Sequence, residues 1–146
     1  MKAITLWQPH AQAIALGIKP YETRSFAIKH RGPMAICSAQ KKFRFQDYPE
    51  PYFREAWKRL HDAGLNGDGL QYGMILAVVD VVNCIKTDAI VDELPDGHKF
   101  WGDFGIGRYA WKLENVRPLW PPMPVRGRQL FFDVPAPTCF KLIQQK

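Results

Sequence analysis

Residues 73–85 constrain this chain more than any other stretch. They run from Gly73 through Met74-Ile75-Leu76-Ala77-Val78-Val79 to Ile85, are apolar almost throughout, and are rich in Val and Ile. β-Branched side chains are stiff at χ1 and pack well on a pleated surface, so the run reads as a long strand and not as a buried helix. Around it the punctuation is dense. Residues 3–6 form a short apolar strand. Pro9 suits the start of a helix over residues 10–16, and Gly17 suits its C-terminal cap. Residues 21–28 read as a strand with Tyr21, Thr23 and Ser25 on one face and Glu22, Arg24 and Phe26 on the other. His30-Arg31-Gly32-Pro33 is turn chemistry before a brief strand at residues 34–37. Phe53, Ala56, Trp57 and Leu60 recur at helical spacing, which predicts a helix over residues 51–65 capped at Gly64. Residues 86–107 read as a long irregular segment, and residues 109–114 as an alternating strand. The four prolines of residues 118–124 predict an extended loop, and a last strand follows at residues 129–134. Helices do not alternate regularly with strands, so a doubly wound parallel sheet is excluded. The order fits an α+β chain built on a small mixed or antiparallel β-barrel with flanking helices.

With 146 residues the chain has the length of a single domain, 1–146. Its 47% hydrophobic and 23% charged residues exclude a disordered composition. No run approaches 18 apolar residues, which excludes a membrane-spanning helix, and the amino terminus lacks the pattern of a signal peptide. Cys37, Cys84 and Cys139 are far apart and without CxxC spacing. That argues against a disulfide scaffold or zinc knuckle and for a reducing, cytoplasmic location. His10, His30, His61 and His98 show no metal spacing, so neither metal nor cofactor is expected. The charge is unevenly spread. Residues 1–60 carry 11 Lys or Arg against 4 Asp or Glu, residues 61–105 carry 2 against 8, and residues 106–146 carry 7 against 2. Two basic flanks that meet in space would attract a polyanion.

Three clusters could carry chemistry. In Gly17-Ile18-Lys19-Pro20-Tyr21-Glu22-Thr23-Arg24 a turn glycine is followed by a cation, and Glu22 and Arg24 share one strand face, placed to pair. In Ser38-Ala39-Gln40-Lys41-Lys42-Phe43-Arg44-Phe45 three cations interleave with two rings, a pattern suited to phosphates and stacked bases. In Trp7-Gln8-Pro9-His10 an indole and an amide stand where a helix begins and could wall a base pocket. Gly102, Gly105 and Gly107 allow tight turns ahead of Arg108, a further phosphate contact.

The first cluster also carries a resemblance. Gly17, Lys19, Glu22 and Arg24 reproduce Gly-x-Lys-x-x-Glu-x-Arg, the signature of the ASCH domain within the PUA-like superfamily. Thr5-Leu6-Trp7-Gln8-Pro9, Gly32-Pro33-Met34-Ala35-Ile36 with Ser38, residues 73–84, residues 109–115 and Pro124-Val125-Arg126-Gly127 resemble its flanking segments in order. The resemblance implies a β-barrel with surrounding helices and a cleft beside the motif. It implies binding of RNA, single-stranded nucleic acid, a nucleoside or a modified base, by a monomer with no membrane role. Gln8, Lys19, Glu22, Arg24, Ser38, Lys41, Lys42 and Arg108 would then contact nucleic acid. Some relatives are amidohydrolases of N4-acylated cytidines, and one is described as a ribonuclease, so a hydrolase using Lys19 and Glu22 is the alternative. In the amidohydrolases a Lys and a Thr of the motif act with a Glu from elsewhere. Here Lys19 is present, but Glu22 stands at the Thr position, and a carboxylate does not replace a hydroxyl nucleophile without a change of mechanism. Asp92, Glu93, Asp96 and Asp103 are candidates for a further acid. A protein-interaction module, with the motif only holding the barrel together, is the third reading.

Overall fold

A computed structural model describes residues 1–65, 67, 69–126 and 131–134. It contains strands β1 (Lys2–Leu6), β2 (Tyr21–Arg24), β3 (Gly32–Ser38), β4 (Met74–Lys86), β5 (Tyr109–Pro124) and β6 (Phe131–Asp133). Helices are α1 (His10–Ala15), α2 (Glu50–Asp62) and the single turn α3 (Asp96–Lys99). The strands form one curled half-barrel in the order β2-β5-β4-β3-β1-β6. β1 and β3 run parallel, and every other pair is antiparallel. This is the expected α+β class. No helix among the described residues is long and apolar enough to cross a membrane.

The two-residue period of the strands divides the core. Ile4, Leu6, Met34, Ile36, Val79 and Val81 face one side of the sheet, where Ala11, Ile14 and Ala15 of α1 pack on them. Ala3, Ala35, Cys37 and Val78 face the other, against Leu119 and Val134. β4 is apolar over most of its length because both of its faces are covered. The helices build a third cluster. Ala56 and Leu60 of α2 are fully buried with Ala13, Phe43 and Trp101, and Phe53 and Trp57 pack against them. The helical stripe read from the sequence is therefore the packed face of α2.

Three local readings are corrected. The strand expected over residues 21–28 stops at Arg24, because Arg24 pairs with Tyr109, the first residue of β5, and the ladder has no partner beyond it. The proline-rich stretch is the second half of β5 and not a loop. There β5 pairs with β4 on one side, while its pairing with β2 ends at Tyr21–Lys112, so the missing proline N–H groups are tolerated at an open edge. The irregular segment 86–107 holds three short helical turns, at Thr87–Ala89, Val91–Glu93 and α3. The expected last strand is present as Phe131–Asp133; residues 129–130 and Cys139 lie outside the described residues.

Candidate nucleic-acid interface

The site starts from the end of α1. Gly17 takes φ +81°, the left-handed conformation that favours glycine. Its N–H donates to Ile14 and that of Ile18 to Ala13, a Schellman closure that ends the helix after two turns. The chain then delivers Lys19 directly ahead of β2. Lys19 and Glu22 are both almost fully buried. The Lys19 ammonium lies 3.4 Å from one Glu22 oxygen and donates to the carbonyl of Trp101. The other Glu22 oxygen accepts from Arg24 Nε at 2.7 Å. Arg24 also reaches the Thr5 carbonyl at 3.5 Å and lies over the Trp111 ring. One carboxylate thus spans two cations, and the strand period that put Glu22 and Arg24 on one face is what allows it.

These groups line a cleft of about 340 Å³ together with Thr5, Trp7, His10, Thr23, Trp101 and Asp103. Burial lowers the pKa of Lys19 from its ordinary value; Glu22 opposes the shift and Arg24 adds to it. His10 is lowered too, to about 4, by burial first and by Lys19 second, with Glu22 and a hydrogen bond to the Trp101 backbone opposing. Two polar atoms of the lining, Thr5 Oγ1 and His10 Nδ1, are buried without a hydrogen-bond partner among the described residues. Trp7 is 56% exposed, which leaves its ring available as a wall. The arrangement combines two cations and two carboxylates, Lys19 and Arg24 against Glu22 and Asp103, with an exposed aromatic ring.

The lowered His10 has a stability consequence. Between pH 6.5 and about 4 the unfolded chain binds a proton at His10 that the folded chain refuses, so folding stability falls as the pH falls through that window. The expected loss is about 3 kcal/mol, complete near pH 4. Urea unfolding of the parent and of His10→Gln between pH 7 and 4 checks this. The difference between the two curves should grow as the pH drops; parallel curves would remove His10 from the account.

The remaining candidates are distributed unevenly. Lys41 places its ammonium 3.7 Å from the Trp7 ring centre, at the edge of the cleft. Lys42 lies 4.1 Å from the Tyr72 ring centre. Arg108 donates to the carbonyls of Thr23 and Asp103, behind the lining. Gln8 and Ser38 are not brought to the cleft. Gln8 donates to the Gln71 carbonyl and accepts the Gln12 N–H at the start of α1. Ser38 exchanges hydrogen bonds with the backbone of Met74. Of the four acids considered, Asp103 lines the cleft, while Asp92, Glu93 and Asp96 do not. Thr5, Trp101 and the Nδ1 of His10 had no signal in the sequence that pointed to this cleft, although Trp7-Gln8-Pro9-His10 flagged the right neighbourhood.

Comparison with known proteins agrees with the geometry. The sequence model of the ASCH domain matches residues 4–123. Human activating signal cointegrator 1 is 29% identical over 93 residues, which are 64% of this chain and 16% of that protein, so the chain spans a small part of this relative. The crystal structure of ASCH from Zymomonas mobilis superposes with a TM-score of 0.55 at 13% identity, covering 98% of this chain and 93% of that one. A substituted form of the same protein gives 0.55 at 12% identity, over 98% and 96% of the two chains. These structures share the fold.

Proposed function

The chain belongs to the ASCH domain family, and from that premise we propose that it is a nucleic-acid-binding domain whose Lys19–Glu22–Arg24 cleft takes one nucleotide of a single-stranded RNA. One observation carries the reading: Lys19 and Arg24 are held on the single Glu22 carboxylate in a cleft whose wall includes the exposed ring of Trp7. Trp7 offers a stacking face, and base–aromatic stacking contributes about 1–3 kcal/mol per base. Glu22 accepts from an exocyclic amine, as carboxylates do with cytosine N4. Arg24 and Lys19 meet phosphate or base oxygens, and a bound anion raises the pKa that burial lowers at Lys19. Lys41 and Lys42 extend the contact along the strand.

Fluorescence anisotropy with a labelled single-stranded RNA, titrated at several salt concentrations, tests the reading. Affinity is expected to fall steeply as salt rises, because each neutralised phosphate releases counterions. The double variant Lys41→Ala/Lys42→Ala should flatten the logarithmic salt slope by about 1.4, or about 0.7 per lost phosphate contact. No binding at low salt would remove the proposal. An unchanged slope in the double variant would place the strand elsewhere on the surface.

A hydrolytic reading is favoured by a single observation, the depressed pKa of a lysine beside a carboxylate in a cleft. Glu22 at the hydroxyl position of the motif counts against it. Incubation of the same protein with N4-acetylcytidine is expected to release no cytidine, and release that disappears in Lys19→Ala would reverse the ranking.

A further inference from the structure

The loop that leaves the cleft at Gly102 and Asp103 returns to the sheet at Arg108, and its tip is Ile106. Ile106 is 90% exposed, more than any other large hydrophobic residue of the described chain. A single exposed apolar side chain is ordinary on a protein surface. What distinguishes this one is how firmly the backbone on either side of it is held. Thr87, which is fully buried, donates its hydroxyl to the Gly105 carbonyl at 2.6 Å. The same hydroxyl and the Thr87 N–H both bond the Arg108 carbonyl, at 3.2 and 3.1 Å. Asp103 accepts the Gly105 N–H at 3.0 Å, and Thr23 Oγ1 accepts the Asp103 N–H at 3.1 Å. A Cβ at Gly102 would stand 2.9 Å from the Phe104 ring and 3.2 Å from Thr23, so this approach to β2 admits only glycine without displacement. The loop is therefore hydrogen-bonded to the strand that carries Glu22 and Arg24, while Ile106 projects from it.

Its surroundings are charged. Lys86, Asp88 and Arg108 share a hollow with Ile106, where Arg108 donates to the Thr23 and Asp103 carbonyls and lies 3.5 Å from the Asp103 carboxylate. A fixed apolar tip with flanking cations matches the device by which proteins part stacked bases: the side chain enters a base step while Lys and Arg hold the phosphates on either side. The cleft that would receive a displaced base begins three residues before the tip, at Asp103.

We propose that Ile106 is a wedge for base-paired nucleic acid, entering the stack while the displaced base occupies the Lys19–Glu22–Arg24 cleft. The proposal rests on the nucleic-acid reading of that cleft. The wedge supplies favourable contact at the vacated step, and the cleft supplies the polar partners the base leaves behind. Unpairing is cheapest at a mismatched or damaged base, so the pair would select such positions in a stem.

The test uses the full chain with two probes: a ten-nucleotide single-stranded RNA, and an RNA stem-loop carrying one mismatch with 2-aminopurine beside it. The parent is expected to bind both and to raise 2-aminopurine fluorescence as the neighbouring base leaves the stack. Ile106→Ser, at a solvent-exposed position, should bind the stem-loop at least tenfold more weakly and lose the fluorescence rise. Its affinity for the single strand should stay within twofold, and Ile106→Leu should behave as the parent. Equal affinities of parent and Ile106→Ser for the stem-loop would overturn the wedge, and so would an equal loss on both probes. A parent that binds the single strand but not the stem-loop defeats the wedge alone. A parent that binds neither defeats the cleft reading, and the wedge with it.

Discussion

Lys19→Met is expected to weaken binding of single-stranded RNA about a hundredfold, a loss of about 2.8 kcal/mol, while changing the folding free energy by no more than about 1 kcal/mol. The two effects separate because Lys19 is costly to bury. Its ammonium has surrendered its water to sit between Glu22 and the Trp101 carbonyl. Removing it leaves Glu22 still paired with Arg24 at 2.7 Å, and the methionine fills most of the vacated volume. The Trp101 carbonyl loses a donor, which offsets the relief from desolvation. The ligand, however, loses the deepest cation in the cleft. Anisotropy titration and urea unfolding on one preparation check both halves. Parent-like affinity would show that the cleft is not the binding site. A large loss of stability would show that Lys19 holds the fold.

Glu22→Gln should have the opposite profile, costing about 3 kcal/mol of folding stability near neutral pH. The substitution leaves Lys19 and Arg24 facing each other without the carboxylate that spans them, and breaking a buried pair from one side strands the other charge. Lys19 already sits below its ordinary pKa through burial, and without Glu22 it falls further. The unfolded chain then binds a proton that the folded chain sheds, so stability rises with pH between the folded and ordinary lysine values. The deficit should accordingly shrink as the pH rises from the variant's lowered Lys19 value to the parent's, and stay constant above it. The double variant Glu22→Gln/Lys19→Met should recover at least half of the loss, because the stranded ammonium is gone. Urea unfolding of the four proteins as a double-mutant cycle measures this. Coupling within error of zero would make Glu22 an ordinary polar side chain.

The two substitutions show what kind of object the cluster is. A carboxylate between two cations is not an efficient way to stabilise a barrel, since an apolar trio of similar volume would do as well or better. It makes sense where charge must be held in place for a ligand.

Several parts of this were legible in the sequence because they depend on local geometry. Glu22 and Arg24 are two residues apart, and a strand must put them on one face whatever surrounds it. Gly17 had to end α1, so Lys19 had to follow the turn. The Val and Ile of residues 73–85 and the stripe of Phe53, Ala56, Trp57 and Leu60 carried their periods openly. Other parts were misread for equally physical reasons. Proline signals a loop locally, but an open strand edge tolerates it, and whether β5 had a second neighbour past Lys112 is a question of sheet order. Gln8 reads as a site amide, yet it is consumed at the start of α1. The Trp101 carbonyl is a backbone atom 82 residues from the ammonium it binds, and no spacing could reveal it. The sequence by itself determined the strand and helix periods, the turn that presents Lys19 and the shared face of Glu22 and Arg24, because each follows from backbone geometry over a few residues. Only the tertiary structure decided which distant groups close the cleft, which polar atoms are left without partners, and which apolar side chain is held out in solvent, because burial depends on the packing of the whole chain.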